Sequence, residues 1–191
     1  RNKSYNKSIE LHELLLSKSI PDDLAFYIYM NLGNIHISGL RKFDKVVDYY
    51  KKAESFLNDS SCETKQTVLY SALGNSNLLK RNFEEAEKYY KRGLEIYLRN
   101  NNYNEAATNY SNLGNLSFEQ YKDKEAKDYF LKAANVFKSK DSTNINIRQK
   151  INYNLFAVNE ALGNYKEAIS YLEKSNTLRD SIWNRDKVWE I

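Results

Sequence analysis

Histidines and paired acids are the residues of this 191-residue chain that could bind a metal or transfer protons. His12-Glu13 resembles the start of a zinc-protease helix motif, but the second histidine would have to stand at residue 16, which is leucine. The acids Asp22-Asp23 fall in a predicted first helical turn, where carboxylates offset the helix dipole. We find no nucleophile–base or acid–base pair, and therefore expect no catalytic residue, no metal site and no cofactor.

The remaining reactive residue types also lack a chemical setting. His36 follows Leu32 by one helical turn on the same face, which favours a packed structural role. Gly33 and Gly39 are separated by a helical pattern instead of forming a phosphate-binding loop. Cys62 is the single cysteine, so an internal disulfide is excluded.

Composition favours an all-helical chain. One proline and six glycines are too few for the tight turns of a β-sandwich or barrel. The 29 basic and 25 acidic residues give a net charge of +4 with interleaved signs, so we expect no nucleic-acid binding by this region. No apolar run exceeds residues 24–30, which excludes a bilayer-spanning helix and predicts no membrane contact within this stretch.

Internal repetition organises the sequence. The tripeptide Leu-Gly-Asn recurs at 32–34, 73–75 and 113–115, and a small residue followed four positions later by an aromatic residue recurs at about the same period. A fixed period near 40 residues is typical of stacked supersecondary units. Each unit is predicted to contain two helices.

Helix packing and capping can be predicted within each unit. Small residues recur where two helices must approach closely, at Gly33, Gly74 and Gly114. The recurring aromatic residues are expected to fill the space between neighbouring hairpins; they are Tyr50, Tyr90 and Phe130. Asn102 with Glu105 predicts a capping box at a helix start. The fourth unit departs from the pattern, with Phe156 in place of glycine.

These columns resemble the tetratricopeptide repeat family, whose pattern appears as Tyr70, Leu73-Gly74, Ala86 and Tyr90. The resemblance implies an all-α fold, a right-handed α-solenoid of antiparallel helix hairpins. The usual period is about 34 residues, so about six extra residues must lengthen each hairpin here.

The expected organisation is one array with shortened ends. The predicted segments are 1–20 as the second helix of a truncated repeat, 22–58, 60–99, 102–139 and 142–179 as four repeats, and 180–191 as a C-terminal helix leading to a missing region. Residues 178–184 resemble the junction after the repeats in Bacteroidetes-type histidine kinases and LuxR-type regulators. That resemblance implies the sensory or interaction part of a signalling protein, with the array in the periplasm; otherwise we expect a cytoplasmic protein.

Residues on one stripe of each first helix are the candidate binding residues. Family resemblance implies that these stripes line a concave groove that binds a peptide or protein segment. The candidates are Tyr27, Met30, Asn34, Ile37, Ser71, Asn75, Leu78, Ser111, Asn115, Phe118 and Tyr153. The three asparagines would form a ladder of amides that pairs with a peptide backbone. Alternatively, asparagine occupies the stripe only because the whole chain is rich in it.

Two function classes follow. The first is a non-catalytic protein- or peptide-binding module, the input region of a regulator. The second is a structural adaptor that self-associates through its terminal helix or convex face, giving a homodimer through residues 180–191. Trp183 and Trp189 support the second class because they are large apolar groups near the end of the sequence.

Overall fold

The computed structural model describes residues 2–39, 45–57, 62–138 and 144–187. These residues form nine α-helices and one π-helix, without a strand among them, which confirms the all-α prediction. The elements are α1 Asn2–Leu16, α2 Asp22–Asn34, the π-helix Ile35–Gly39, α3 Val46–Glu54, α4 Glu63–Leu79, α5 Phe83–Arg99, α6 Tyr103–Glu119, α7 Asp123–Lys138, α8 Ile145–Ala161 and α9 Tyr165–Lys187.

The chain divides into two compact units, Arg1–Gly93 and Leu94–Ile191. In the first unit, α2 packs against α3, α3 packs against α4, and α1 contacts α2 and the π-helix. In the second unit, α6 pairs with α7, α8 pairs with α9, and α7 also packs against α8. The predicted helix hairpins are therefore present, and short turns join α6 to α7 and α8 to α9.

A glycine on the first helix meets an aromatic ring from the second. At Gly74, an added Cβ atom would lie 2.5 Å from Cε1 of Tyr90, a separation that real Cβ contacts do not reach. The equivalent rings crowd the two other glycines in the same way, Tyr50 at Gly33 and Phe130 at Gly114. The predicted need for small residues is confirmed. The rings lie inside each hairpin against the glycine, and Phe130 also belongs to a buried cluster with Ile151 and Leu155 of the next hairpin.

In the fourth hairpin, α8 and α9, the large side chain stands on the first helix and the smaller one on the second. Phe156 stands at the glycine position and Leu172 stands at the ring position. The ring of Phe156 tilts against Tyr153 at a centroid distance of 5.8 Å, and α8 still packs along α9. The hairpin therefore forms without a glycine at this position.

The first hairpin has one residue more than the second between equivalent positions, and a π-helix follows its first helix. The hydrogen-bonded pair Asn34 and Tyr50 is separated by 16 positions, whereas the equivalent pair Asn75 and Tyr90 is separated by 15. A π-helical turn accommodates one additional residue without moving the flanking side chains out of register. The sequence places this residue near Leu40, which lies outside the described residues; the π-helix ends at Gly39.

The turns inside the later hairpins contain residues in the left-handed backbone conformation. They have φ values of 59° at Arg81, 59° at Tyr121 and 73° at Gly163. The following amide bonds back across the turn in each case, as with Asn164 N to Asn159 O at 2.8 Å. This is the Schellman arrangement that ends helices. Only one of the three positions is glycine, although the conformation is strained for residues that carry a Cβ atom.

Helix capping differs from the prediction. The side chain of Asn102 makes no capping hydrogen bond at the start of α6, so the capping box expected there is wrong. Oδ1 of Asn144 does cap α8, accepting from the backbone N–H of Ile147 at 3.2 Å. The side chain of Asn82 instead donates to Asn77 Oδ1 at 3.4 Å, because the left-handed turn directs it back to the preceding helix.

Two turn substitutions test the strain at these positions. Gly163→Ala should lower the free energy of unfolding by about 1 kcal/mol, since the added Cβ meets no atom within 4 Å and only the backbone conformation opposes it. Tyr121→Gly should raise it by about 0.5 kcal/mol, because this side chain is 89% exposed and packs little. Urea unfolding measures both, and equal signs would contradict the account.

Candidate functional site

The structure separates the predicted stripe residues by accessibility. Two of them are buried, Met30 at 6% and Ser111 at 2% exposure, and Ser111 Oγ donates to the carbonyl of Ala107 at 3.0 Å. We leave these two out of the candidate surface because neither can contact a ligand without a rearrangement. The exposed members are Tyr27, Asn34, Asn75 and Tyr153, and the half-buried members are Ile37, Ser71, Leu78, Asn115 and Phe118.

The first two asparagines are held by tyrosines from the second helix of the same hairpin. The hydroxyl of Tyr50 donates to Asn34 Oδ1 at 2.7 Å, and the hydroxyl of Tyr90 donates to Asn75 Oδ1 at 2.7 Å. Burial raises the pKa of Tyr50 to about 12 and also raises the pKa of Tyr90. Both hydroxyls therefore stay protonated at neutral pH and can donate.

This bond fixes the orientation of the exposed amide. Because Oδ1 already accepts from a tyrosine, the amide offers a ligand chiefly its two N–H donors. The third hairpin lacks the bond, since Phe130 has no hydroxyl to give to Asn115. The three amides are therefore not equivalent, although the repeated Leu-Gly-Asn pattern predicted that they would be. The sequence does show this difference, because Tyr50 and Tyr90 carry a hydroxyl and Phe130 does not.

The surroundings of the stripe differ between the two units. In the first unit, Tyr27 packs edge-on against Phe26 at 5.2 Å, and the ammonium of Lys65 lies 5.4 Å from the Tyr27 ring centroid. Lys65 also bonds to Asp23 at 2.7 Å, which ties α4 to α2. In the second unit, Phe118 packs against the core and leaves Tyr153 as the most exposed aromatic member. The stripe residues therefore form a polar aromatic surface in the first unit and a less polar one in the second.

Asn34 also lines a cavity of about 350 Å³ between α1, α2 and the π-helix. His12 of α1 contributes to this cavity, and its Nδ1 lies 2.6 Å from the carbonyl oxygen of Ser8, to which it donates. This bond places the proton on Nδ1 and orients the imidazole through the backbone.

Chemistry of other kinds finds little support in the described ranges. His36 is buried with its ring 5.1 Å from that of Tyr49, which confirms its packed structural role. Within the same ranges, no group of three or more His, Cys, Asp or Glu side chains converges to hold a metal ion. No helix among the described residues combines the length and apolar character needed to span a bilayer.

Alanine substitutions distinguish the two kinds of asparagine. Asn75→Ala should cost about 1–2 kcal/mol more stability than Asn115→Ala, because it removes the partner of the buried Tyr90 hydroxyl. Phe130→Tyr should in turn make Asn115 sensitive to alanine by supplying the missing donor. Urea unfolding of the variants measures the difference. Equal losses at both positions would show that the tyrosine bond contributes nothing.

The chain matches models of a known repeat family. Two family models, both described as tetratricopeptide repeat, match residues 66–139 and 152–181, together more than half of the chain. No curated protein matches the chain.

Solved structures show the same fold at low identity. BtubC (BKLC) from P. vanneervenii is 22% identical with a TM-score of 0.80, over 94% of this chain and 74% of that one. The Signal Transduction ATPase with Numerous Domains (STAND) protein from Pyrococcus horikoshii, which has a tetratricopeptide repeat sensor, is 18% identical with a TM-score of 0.78, over 96% and 28%. A Rap protein complexed with Competence and Sporulation Factor is 17% identical with a TM-score of 0.69, over 85% and 45%.

This chain therefore spans about three quarters of BtubC but less than half of the STAND and Rap chains. Identities this low establish a shared fold. They do not transfer the activities of those proteins to this chain. The two repeat-family matches, the repeated Leu-Gly columns and the glycine–ring hairpins agree with one another. The chain belongs to the tetratricopeptide repeat family.

Proposed function

We propose that this chain is a non-catalytic binding module whose exposed first-helix residues, in each of the two units, take up an extended peptide or protein segment. Protein interaction is the general role of tetratricopeptide repeats. The observation that carries the proposal is the pair of exposed asparagines, Asn34 and Asn75, each held through its Oδ1 by a buried tyrosine. The bond leaves the two N–H donors of each amide available to a ligand, which supports this role.

Binding would use the peptide backbone first. Asn34 and Asn75 donate N–H groups to ligand carbonyls, whereas Asn115 can donate or accept because Phe130 leaves its oxygen unoccupied. Backbone pairing gives affinity that is nearly independent of the ligand sequence. Neighbouring apolar groups such as Leu78 and Tyr153 then select ligand side chains.

We also propose a signalling role for this module. The structurally similar proteins include a repeat sensor of a STAND protein and a Rap protein complexed with Competence and Sporulation Factor. Residues 178–184 also resemble the segment that follows the repeats in bacterial regulators. We therefore propose that the chain is the sensory or interaction region of a bacterial regulator.

A peptide-display selection tests the binding proposal. Random twelve-residue peptides selected on the full chain should bind it saturably, and Asn115→Ala should weaken them about tenfold by removing backbone pairing while leaving the fold intact. The matched control is Asn6→Ala, an exposed asparagine on α1. Calorimetric titration measures the affinities. Equal affinity for both variants would contradict the proposed stripe.

Self-association is the second candidate function. Trp183 is 63% exposed on α9, and large exposed aromatic groups mark contact sites between proteins; Trp189 lies outside the described residues. A chain that sediments as a dimer, becomes a monomer when residues 181–191 are removed, and selects no peptide would favour the adaptor over the peptide-binding module.

A further inference from the structure

The second unit contains a cleft that is separate from the asparagine stripe. It has a volume of about 660 Å³ and lies between α7, α8 and α9. Its floor is apolar, with Phe137, Ile151 and Leu155 all buried. Tyr153, the stripe residue on α8, does not line it.

The corresponding place in the first unit is closed by a carboxylate. The hydroxyl of Tyr89 donates to Glu54 Oε2 at 2.9 Å, and Arg92 pairs with Glu54 Oε1 at 3.2 Å. The guanidinium of Arg92 also lies 4.3 Å from the ring centroid of Tyr70. One acid, one aromatic ring, one hydroxyl and one cation thus join α3, α4 and α5.

Shared hydrogen bonds fix the correspondence between the two places. Asn77 and Asn159 each donate from Nδ2 to the carbonyl four residues earlier, and each accepts from an asparagine five residues later. This sets an offset of 82 positions from α4 and α5 to α8 and α9. The glycine–ring contacts set an offset of 80 from α3 to α7, through Tyr50 and Phe130.

With these offsets, the four closing residues of the first unit correspond to four residues that all line the cleft. Ala134 stands at the position of the acid, and Asn152 stands at the position of the aromatic ring. Tyr171 and Lys174 keep the hydroxyl and the cation. The cleft is open because the acid and the ring are missing. The side chain of Asn152 does not fill it, since its Nδ2 donates to the carbonyl of Arg148 at 2.9 Å on its own helix.

The retained groups are those that bind a carboxylate in the first unit. Lys174 lies with its ammonium 5.0 Å from the ring centroid of Tyr171, and Arg148 lies 5.4 Å over Phe137 at another side of the cleft. Glu173 also lines the cleft. The Tyr171 hydroxyl and the Lys174 ammonium favour an anionic ligand, as Tyr89 and Arg92 do in the first unit, and the apolar floor favours a ligand with an apolar body.

We propose that this cleft binds a small aromatic carboxylic acid. The ligand carboxylate takes the place that Glu54 holds in the first unit, between the Tyr171 hydroxyl and the Lys174 ammonium. The ligand ring takes the place of Tyr70, above the apolar floor. A small molecule suffices because the missing groups amount to one carboxylate and one ring, and the cleft volume is that of a small-molecule site.

A titration with 3-phenylpropionate tests the proposal. The acid should shift amide NMR signals of α7, α8 and α9 saturably at millimolar concentration, and neutral 3-phenylpropanamide should bind at least about tenfold more weakly. Lys174→Met should weaken the acid about tenfold. The matched control is Lys132→Met, because Lys132 lies over Tyr129 at 5.2 Å in the same way and does not line the cleft.

A second variant tests the comparison between the units. Ala134→Glu combined with Asn152→Tyr should rebuild the closure seen in the first unit, abolish binding of 3-phenylpropionate and leave the melting temperature unchanged or higher. Equal binding of acid and amide, equal effects of the two lysine variants, or no saturable shift would overturn the proposal. Binding of an acidic peptide without binding of 3-phenylpropionate would also overturn it. These readouts do not depend on the asparagine stripe.

Discussion

The contact between a glycine on the first helix and an aromatic ring on the second determines how the hairpins of this chain are built. With no Cβ at Gly33, Gly74 or Gly114, the ring lies directly on the helix backbone. Where the ring belongs to tyrosine, its hydroxyl reaches the asparagine that follows the glycine. One close approach thus sets the helix spacing and also holds a surface amide in place.

The period and the helical nature of the repeats could be predicted because several independent columns recur with the same spacing. The glycine positions could be predicted for the same reason. The bond between Tyr90 and Asn75 was not predicted, because it joins residues on two helices and depends on the rotation of each. The burial of Met30 was missed because helical spacing gives a face but does not show which neighbouring helix covers it.

The capping error has a similar origin. Asparagine before an acidic first turn is a common cap signal. In this chain, the left-handed turns bring asparagines such as Asn82 and Asn164 back to the helix before the turn, where their side chains link two helices. The local signal was present, and the tertiary contact used the same side chain differently.

Repetition allows one part of the chain to serve as a reference for another. The fourth hairpin replaces the glycine and ring by Phe156 and Leu172 and still packs. The cleft beside α7 and α9 has lost a carboxylate and a ring that the first unit retains. In both cases, single substitutions at equivalent positions change what the space contains while the helices keep their arrangement. Functional differences between the repeats therefore arise from side chains on a common frame.

A double-mutant cycle on Gly74 and Tyr90 tests the glycine–ring contact most directly. Gly74→Ala alone should destabilise the chain by about 1–3 kcal/mol through overpacking against the ring. Combined with Tyr90→Leu, the residue type found in the fourth hairpin, the same change should cost at least about 1 kcal/mol less. Unfolding free energies that add within about 0.5 kcal/mol would contradict the account, because they would show that the two residues do not share the same space.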